Sequence, residues 1–466
     1  MKSKKFTILV FVLLISVWSC NNKTQTDSEQ SDCYYPTLAA ASETMHPAWS
    51  NDATIYEVNI RQYTPEGTFK AFEQHLPRLQ ELGVEILWFM PIHPISEKNR
   101  KGTLGSYYAV ADYKAVNPEF GTIDDFKNLV DKAHQMGFKV LLDWVANHTG
   151  WDHHWIEEHP EWYSTDSTGN IIPPVPDWSD VADLNYDVPE MRAAMTDALK
   201  FWVAEADIDG YRCDVAGEVP TDFWNEARAE LDQIKPVYML AEDEGNKELL
   251  NKAFNVNYGW SFHHLMNEIA KGEKEADEIM AYFAAADSSY PSRSYMMQFT
   301  SNHDENSWNG TAYERMGEAV QAMAALSFVV PGMPLIYSGQ EAGLNKRLEF
   351  FEKDEIDWSQ LPLQDFYAQL IDVKQNNQAL WNGCAGGPLT FYPMTEKNNL
   401  LVFSRKAANN MVVAIFNLSD EKQSNMVATL AVDGTYKNAL TDNEMVLNNQ
   451  TMLELEPWQF MILIRK

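Results

Sequence analysis

Short apolar segments alternate with amphipathic segments between residue 53 and about residue 380. Apolar runs of about four to eight residues are typical of buried strands, and apolar residues at about every third or fourth position are typical of helices. Strands are predicted at 54–60, 84–90, 138–145, 208–213, 237–241, 254–258, 295–300 and 334–337. Helices are predicted at 69–82, with either a kink or a restart of the helix at Pro77, and at 122–136, 189–205, 223–231, 318–329 and 366–374. Eight strands that alternate with helices predict an α/β fold, a closed (β/α)8 barrel of parallel strands.

The pattern changes after about residue 380, where the helical period disappears. Apolar runs at 400–404, 411–416 and 460–464 are separated by Asn, Asp and Gly residues, which favour turns. Strands joined by turns without intervening helices predict a C-terminal antiparallel β-sandwich over 381–466. The (β/α)8 TIM barrel is therefore assigned to residues 48–380.

The N-terminus carries an export pattern. Three lysines among the first five residues precede an apolar run from Phe6 to Trp18 and then Cys20. A charged segment followed by about a dozen apolar residues is typical of a signal peptide and is too short for a membrane span. Cys20 resembles the cleavage site of a bacterial lipoprotein, so residues 1–20 are predicted to be a lipoprotein-type signal peptide. Asn21 would then allow transfer to the outer membrane.

Residues 21–47 are polar, lack apolar periodicity and are predicted to be a flexible tether. We therefore expect an exported protein with a lipid anchor at the outer membrane, on the cell surface or facing the periplasm.

Composition narrows the class of partner. The chain has 466 residues, 36 of them basic and 67 acidic, and a formal net charge of -31. Such a charge repels nucleic acid and anionic membrane surfaces, so a neutral or cationic partner is expected. The alternative is that the acidity only keeps a secreted protein soluble. The four cysteines show neither a disulfide framework nor the spacing of metal ligands.

Charged and polar side chains follow four of the predicted strands. They are Asp143, Asn147 and His148 after the third strand, Arg212 and Asp214 after the fourth, Glu242 after the fifth, and Asn302, His303 and Asp304 after the seventh. The carboxyl ends of barrel strands meet at one mouth, where such barrels carry their active sites. We therefore expect carboxylates and histidines to converge there.

The stretch from Ile208 to Val215 places Arg212 and Asp214 on one face of a strand, because residues two apart point to the same side. A guanidinium at that spacing keeps the carboxylate ionised and orients it. An ionised, oriented carboxylate can act as a nucleophile. The alternative is a purely structural ion pair at a strand end.

Hydrolysis of an acetal needs one carboxylate at the anomeric carbon and one protonated carboxyl that gives its proton to the leaving oxygen. Asp214 fits the first role. Glu242 follows an apolar segment, which favours a raised pKa and the role of the acid. Asp304 adds a third charge to counter the positive charge of the transition state. His148 and His303 are candidate hydrogen-bond donors to sugar hydroxyls, although each histidine taken alone also fits a structural role.

The order of these motifs resembles the alpha-amylase family, glycoside hydrolase family 13. The resemblance rests on these strand ends and on the segment 109–122, and it runs from about Ile55 to the C-terminus. It implies a retaining mechanism with Asp214 as nucleophile, Glu242 as general acid/base and Asp304 as transition-state stabiliser. It further implies that Arg212, His148 and His303 bind the sugar and that Tyr108 stacks on it. Packing is the alternative role for Tyr108.

Three segments depart from the family pattern. After the nucleophile the chain reads Val-Ala-Gly217-Glu218, where many amylases have Lys-His. This stretch is closer to the Val-Ala-Asn-Glu of neopullulanases and cyclomaltodextrinases, so Glu218 is predicted to contact the leaving-group side. Residues 181–185 resemble the family's loop motif without matching a subgroup, and residues 63–67 replace the Asp-rich calcium loop of some relatives.

The resemblance also concerns calcium and an inserted segment. Asn147 and Asp183 match calcium-ligand positions, so calcium is a candidate cofactor, although no further oxygen ligands are identifiable. The segment 149–183 would be a short domain B inserted after the third strand. Its tryptophans either line a sugar cleft or pack the segment; they are Trp151, Trp155, Trp162 and Trp178.

These features predict an exported, lipid-anchored hydrolase of α-glucosidic bonds in chains derived from starch or glycogen. A neopullulanase- or cyclomaltodextrinase-type hydrolase and an α-glucan transglycosylase would use the same residues and stay open. A non-catalytic glycan-binding protein on the same fold is the alternative of another class. The presence of all three carboxylates disfavours it.

Overall fold

The structure is a computed structural model that describes residues 43–396, 399–427, 432–449 and 451–466. The predicted signal peptide at 1–20 and residues 21–42 of the predicted tether lie outside the described residues. Among the helices of the described residues, none combines the length and the apolar character that crossing a membrane requires.

Eight parallel strands close into a barrel, which confirms the predicted fold class. The first ten strands are β1 (Ile55–Val58), β2 (Ile86–Phe89), β3 (Lys139–Trp144), β4 (His148–Gly150), β5 (Val181–Asp183), β6 (Gly210–Cys213), β7 (Tyr238–Ala241), β8 (Val256–Tyr258), β9 (Tyr295–Gln298) and β10 (Met333–Tyr337). The order around the barrel is β1-β10-β9-β8-β7-β6-β3-β2. Strands β4 and β5 pair separately as an antiparallel ribbon, in which His148 lies opposite Asp183.

Helices surround the barrel. They are α1 (Ile60–Tyr63), α2 (Phe69–Glu73), α3 (Leu76–Leu82), α4 (Ile123–Gln135), α5 (His154–Glu158), α6 (Pro189–Ala206), α7 (Thr221–Leu231), α8 (Trp260–Ala270), α9 (Glu278–Asp287), α10 (Ala312–Met316), α11 (Val320–Val329) and α12 (Gln364–Gln375). Helix α4 begins as predicted at Thr122, whose side chain and that of Asp125 form a capping box. Of the two alternatives predicted at Pro77, the structure shows the restart: α2 ends before it, and Pro77 lies in the first turn of α3, where its missing N–H costs nothing.

Alternation along the strands separates two apolar regions. Side chains of one set fill the barrel interior, among them Ile55, Trp88, Leu141, Leu240 and Met297, whereas the alternate side chains pack under the helices. A Cβ at Gly210 would lie 1.8 Å from the Tyr238 carbonyl oxygen. Glycine at this position therefore lets β6 and β7 approach each other, which brings the end of β6 beside the end of β7.

The C-terminal part consists of antiparallel sheets, as predicted. Its strands are β11 (Leu389–Phe391), β12 (Leu400–Ala407), β13 (Asn410–Asn417), β14 (Gln423–Met426), β15 (Gly434–Asn438), β16 (Glu444–Leu447), β17 (Met452–Leu455) and β18 (Phe460–Arg465). Six of them form one sheet in the order β11-β12-β13-β18-β15-β16, and β14 pairs with β17. Apolar side chains from both sheets, such as Val413, Ile415 and Leu455, share a small core.

The cysteines of the described residues differ in state. Cys213 is free and buried, and Cys384 is disulfide-bonded. The scattered spacing of the cysteines did not predict this bond.

Candidate active site

Arg212, fully buried on β6, organises the mouth of the barrel. Its Nη1 lies 2.9 Å from Asp143 Oδ1 and 3.0 Å from Asp214 Oδ1, and its Nε donates to the Tyr258 hydroxyl at 3.1 Å. Its Nη2 lies 2.9 Å from Glu242 Oε1, an ion pair without hydrogen-bond geometry. The expected pair of Arg212 and Asp214 is therefore present. The same planar guanidinium also fixes Glu242 and Asp143.

The residue after Asp214 connects it to Glu242. Val215 has a positive φ of 37°, a left-handed conformation that costs a β-branched residue about 1–3 kcal/mol. In this conformation the Val215 N–H donates to Glu242 Oε2 at 2.9 Å. Local strain at the end of β6 thus helps to hold the two carboxyls in a fixed relation.

The two carboxyls differ in pKa. Burial raises the pKa of Glu242 to about 8, although Arg212 opposes the rise. Burial also raises the pKa of Asp214, to about 6, again against the effect of Arg212. At neutral pH this order leaves Asp214 ionised and keeps the proton on Glu242. The sequence predicted that the pKa of Glu242 is raised. For Asp214 it predicted that Arg212 favours the ionised form, but not that burial has the larger effect on the pKa.

Asp304 and His303 follow β9 and belong to a chain of hydrogen bonds that begins at Glu57. His303 Nδ1 lies 2.5 Å from Glu57 Oε1, and its Nε2 lies 2.8 Å from the Tyr108 hydroxyl and 3.3 Å from Asp304 Oδ2. The Tyr108 hydroxyl donates to Asp143 Oδ2 at 3.1 Å. Burial lowers the pKa of His303, but the charges of Asp304 and Glu57 outweigh it and raise the pKa to about 9. His303 is therefore a cation at neutral pH.

His148 lies at the start of β4 and, unlike His303, is uncharged. Burial lowers the pKa of His148 to about 3, so the ring is neutral at neutral pH. Its ring centroid lies 5.6 Å from that of Trp178. Tyr108 both lines the cavity and packs: its ring is nearly parallel to those of His303 and Phe350, at 5.6 and 6.2 Å.

A cavity of about 680 Å³ opens above these groups. Six of the predicted site residues line it: Tyr108, His148, Asp214, Glu242, His303 and Asp304. Further walls come from the loop after β2, the inserted segment and the loops after β9 and β10, through Lys101, Trp178, Trp308, Phe350 and Phe351. Arg212 lies beneath this cavity. An open groove of about 900 Å³ elsewhere on the surface contains none of the predicted site residues.

Two groups of predicted residues do not reach the cavity. Glu218 is exposed in a 3-10 turn and does not line the cavity. Glu218 instead acts on Asp183: burial raises the pKa of the Asp183 carboxyl, and the negative charge of Glu218 raises this pKa further. Of the four tryptophans in the inserted segment, Trp178 alone lines the cavity; Trp155 and Trp162 are buried in the segment's own packing.

The residues proposed for calcium provide a poor fit. The Leu184 N–H donates to the Asn147 carbonyl oxygen at 3.1 Å. Because Asp183 directly precedes Leu184, Asn147 and Asp183 are neighbours. Within the described ranges, no group of three His, Cys, Asp or Glu side chains could hold a metal ion. Calcium prefers six to eight oxygen ligands, often from several carboxylates. One amide and one carboxylate supply only part of this set, so the other ligands would have to be backbone carbonyl oxygens or water. No step of the chemistry is assigned to a metal.

Sequence reasoning missed several side chains of the site. Glu57 could have been noticed in the sequence, because it is the one carboxylate within the otherwise apolar strand β1. Asp143 was recognised as a strand-end acid without a role. Lys101, Trp308 and Phe350 come from long loops whose sequence gives no period, and only the folded arrangement brings them to the cavity.

A barrel whose strand ends hold an ionised carboxylate, a protonated carboxyl and a third carboxylate around a cavity defines a glycoside hydrolase. Residues 24–170 and 176–360, more than half of the chain, match the family described as the catalytic domain of alpha amylase. Residues 393–456 match the bacterial alpha amylase C-terminal domain. The chain therefore belongs to the alpha-amylase family.

Related proteins support this assignment. The alpha-amylase MalA of Haloarcula japonica is 27% identical over 423 residues, which cover 85% of this chain and 61% of that protein. The chain thus spans about three fifths of that relative's length. Neopullulanase 2 of Thermoactinomyces vulgaris is 26% identical over 480 residues, which cover 90% of this chain and 78% of that protein.

Solved structures show the same fold. An alpha-amylase from Lactobacillus plantarum superposes with a TM-score of 0.80 at 31% identity, covering 89% of this chain and 99% of that one. A maltogenic alpha-amylase from Thermotoga neapolitana superposes with a TM-score of 0.81 at 29% identity, covering 89% of this chain and 98% of that one.

Proposed function

We propose that this protein hydrolyses α-glucosidic bonds of starch- or glycogen-derived chains with retention of configuration. The observation that carries the proposal is the shared guanidinium of Arg212, which holds Asp214 and Glu242 on two of its nitrogens. Their different pKa values supply an ionised nucleophile and a protonated acid in one cavity.

In the first step Asp214 attacks the anomeric carbon. The glycosidic C–O bond breaks while Glu242 gives its proton to the leaving oxygen. In the second step the Glu242 carboxylate takes a proton from water. The water oxygen bonds to the anomeric carbon, the bond to Asp214 breaks, and Glu242 is again protonated. Asp304 stabilises the positive charge that develops on the sugar ring in both steps.

The remaining groups hold the reacting sugar. Cationic His303 lines the cavity, and its Nε2, which lies 2.8 Å from the Tyr108 hydroxyl, can share its N–H with a sugar hydroxyl. Neutral His148 can donate or accept a hydrogen bond. The face of Tyr108 offers an apolar surface to the C–H groups of the ring. Arg212 acts from below by orienting Asp214 and Glu242.

A neopullulanase- or cyclomaltodextrinase-type activity is a second candidate, favoured by one observation on the leaving-group side. A Cβ at Gly217 would lie 2.2 Å from Asp243 Oδ2. A lysine at position 217, which many amylases carry there, would therefore require the Asp243 side chain to move, and glycine leaves the leaving-group side without that lysine.

A product profile tests both candidates. The purified protein is incubated with amylose, pullulan, a cyclodextrin and a short malto-oligosaccharide, and NMR records the anomer that is released first. Release of the α-anomer from amylose, with little attack on pullulan, would support an amylase. Faster attack on pullulan or on the cyclodextrin would support the second candidate. Release of the β-anomer would refute the retaining mechanism, and no product from any substrate would refute hydrolysis of α-glucans.

We also propose that the protein is exported and anchored by a lipid on Cys20. The lysines and apolar run of residues 1–20 support this proposal. The disulfide bond of Cys384 is also consistent with an oxidising compartment. Labelling with a radioactive fatty acid in a bacterial host is expected to mark the wild-type protein but not Cys20→Ser. Equal labelling of both, or of neither, would refute the anchor.

A further inference from the structure

The loop between β2 and Tyr108 runs along one side of the mouth of the barrel as a strap, defined here as residues 97–105. Its start is fixed by Asp152, whose Oδ2 accepts hydrogen bonds from the N–H groups of Glu97 at 2.6 Å and Lys98 at 2.8 Å. Arg100 ties it to the residues that precede it, because its Nε and Nη2 donate to the carbonyl oxygens of Ser96 and Ile95. The strap therefore has a defined conformation.

One side of the strap is attached to the inserted segment. Lys101 Nζ lies 3.1 Å from Asp180 Oδ1 and donates to the Asp177 carbonyl oxygen at 2.5 Å. The Asp180 side chain is 7% exposed, so this ion pair is partly shielded from water.

The other side of the strap is attached to the loop after β10. The Thr103 N–H donates to Glu352 Oε1 at 2.8 Å, and the Leu104 N–H donates to the Phe351 carbonyl oxygen at 3.1 Å. Gly102 packs so closely on Phe351 that a Cβ at this position would lie 2.4 Å from the Phe351 Cβ. The strap thus links both walls, and Lys101 and Phe351 line the cavity itself.

The topology shows which end of the cleft the strap closes. Strand β1 lies between β2 and β10 in the barrel, and β7 lies four strands away from β1 in either direction. The strap follows β2 and is attached to the segment inserted after β3 and to the loop after β10, whereas Glu242 directly follows β7. The strap therefore lies opposite the acid that protonates the leaving group. A glucan chain that extends from the reacting sugar away from Glu242 runs towards its non-reducing end.

We propose that the strap closes the non-reducing side of the cleft, so that the enzyme removes short oligosaccharides of one length from chain ends instead of cutting inside chains. The Lys101 ammonium has three N–H donors. Asp177 and Asp180 take two of them, and the third can meet the hydroxyls of the terminal glucosyl unit. The inference rests on the proposed α-glucan hydrolysis and specifies its substrate as a free non-reducing chain end.

A blocked substrate tests the proposal in the wild-type protein. The probes are 4-nitrophenyl maltoheptaoside and the same compound with a 4,6-ethylidene group on its non-reducing glucosyl unit. A closed end is expected to slow hydrolysis of the blocked compound by about tenfold or more, because the pocket has no room for the added group. Early digestion of amylose is expected to give one short product with little loss of viscosity.

Variants test whether the strap is the cause. Lys101→Met with Thr103→Val removes the Lys101 ion pair with Asp180 on one side and the hydrogen bond from the Thr103 hydroxyl to the Glu352 carboxylate on the other. This double variant is expected to raise the ratio of blocked to unblocked hydrolysis by about tenfold and to lengthen the products. Lys127→Met is the matched control: Lys127 is as exposed as Lys101, at 31% against 33%, and pairs with Glu205 on outer helices. It should leave the ratio unchanged.

The results distinguish a failure of the closed-end proposal from a failure of the proposed α-glucan hydrolysis. Equal hydrolysis of both probes by the wild type would refute the closed end and leave α-glucan hydrolysis intact. A wild type that discriminates, with a folded double variant that discriminates equally, would refute the role of the strap. If the double variant fails to fold, as judged by its melting temperature, the single variant Lys101→Met takes its place. No activity on either probe or on amylose would refute the proposed function itself.

Discussion

Glu57→Gln tests the charge state of His303. Glu57 is fully buried on β1, and its Oε1 contacts His303 Nδ1. Its Oε2 has no hydrogen-bond partner among the described residues. Glutamine keeps the size and one acceptor of the side chain but removes the negative charge beside His303.

The magnitude follows from the pKa of His303, which rises from its usual 6.5 to about 9. Each unit corresponds to about 1.4 kcal/mol, so the folded state gains about 3 kcal/mol from the charged ring. Because the pKa is raised on folding, this stability is fully present below pH 6.5 and is lost as the pH rises through 9. Glu57 shares the effect with Asp304, so we expect Glu57→Gln to cost about 1–2 kcal/mol at pH 6 and much less above pH 9.

Urea unfolding of the wild type and the variant at about pH 6 and about pH 9.5 measures this difference. His303→Asn provides the control background, because Glu57→Gln should show no such pH dependence once the partner charge is absent. An equal loss of unfolding free energy at both pH values would show that the contact is not an ion pair and would refute the reasoning.

Four further predictions concern the catalytic groups and the metal. Asp214→Asn should leave the circular dichroism spectrum intact and lower kcat by about three orders of magnitude or more; turnover near that of the wild type would remove Asp214 as the nucleophile. Glu242→Gln should lose most activity on malto-oligosaccharides and least on activated aryl glycosides, because only the former need a proton; equal losses would argue against Glu242 as the acid. The wild-type kcat/KM should rise as Asp214 ionises near pH 6 and fall as Glu242 loses its proton near pH 8, so a flat profile across this range contradicts the assignment. A chelator should leave melting temperature and turnover unchanged, since Asn147 and Asp183 supply too few ligands for calcium; losses that added calcium reverses would reveal a metal site.

The barrel was predictable because its strands are buried on both sides and its principal helices repeat their apolar residues. Thr122 and Asp125, for example, show the start of α4 directly in the sequence. Helices α8 to α10 were not predicted. The short strand β17 was missed as well, although Leu453 and Leu455 are buried and their neighbours are exposed. This strand has no contiguous apolar run, and its alternation of two buried leucines is too short to stand out in the sequence.

The strand-end residues of the site were predictable for a topological reason, because the carboxyl ends of all barrel strands meet at one mouth, where such barrels carry their active sites. The partners of these residues could not be predicted from the sequence. Glu57 lies 246 positions from His303 in the chain, and only the closure of the barrel brings the two together. The depth of burial could not be predicted either. The sequence identifies Arg212 as a partner that lowers the pKa of Asp214, but it does not show how strongly burial raises that pKa.

The contact between Gly217 and Asp243 restricts how this protein can change during evolution. A mutation that introduced lysine at position 217 would place its first side-chain carbon against the Asp243 carboxylate, which directly follows Glu242. The Asp243 side chain would have to move to admit the new residue. A lysine at position 217 is therefore accommodated more easily when position 243 changes as well, so the two positions are expected to vary together across relatives.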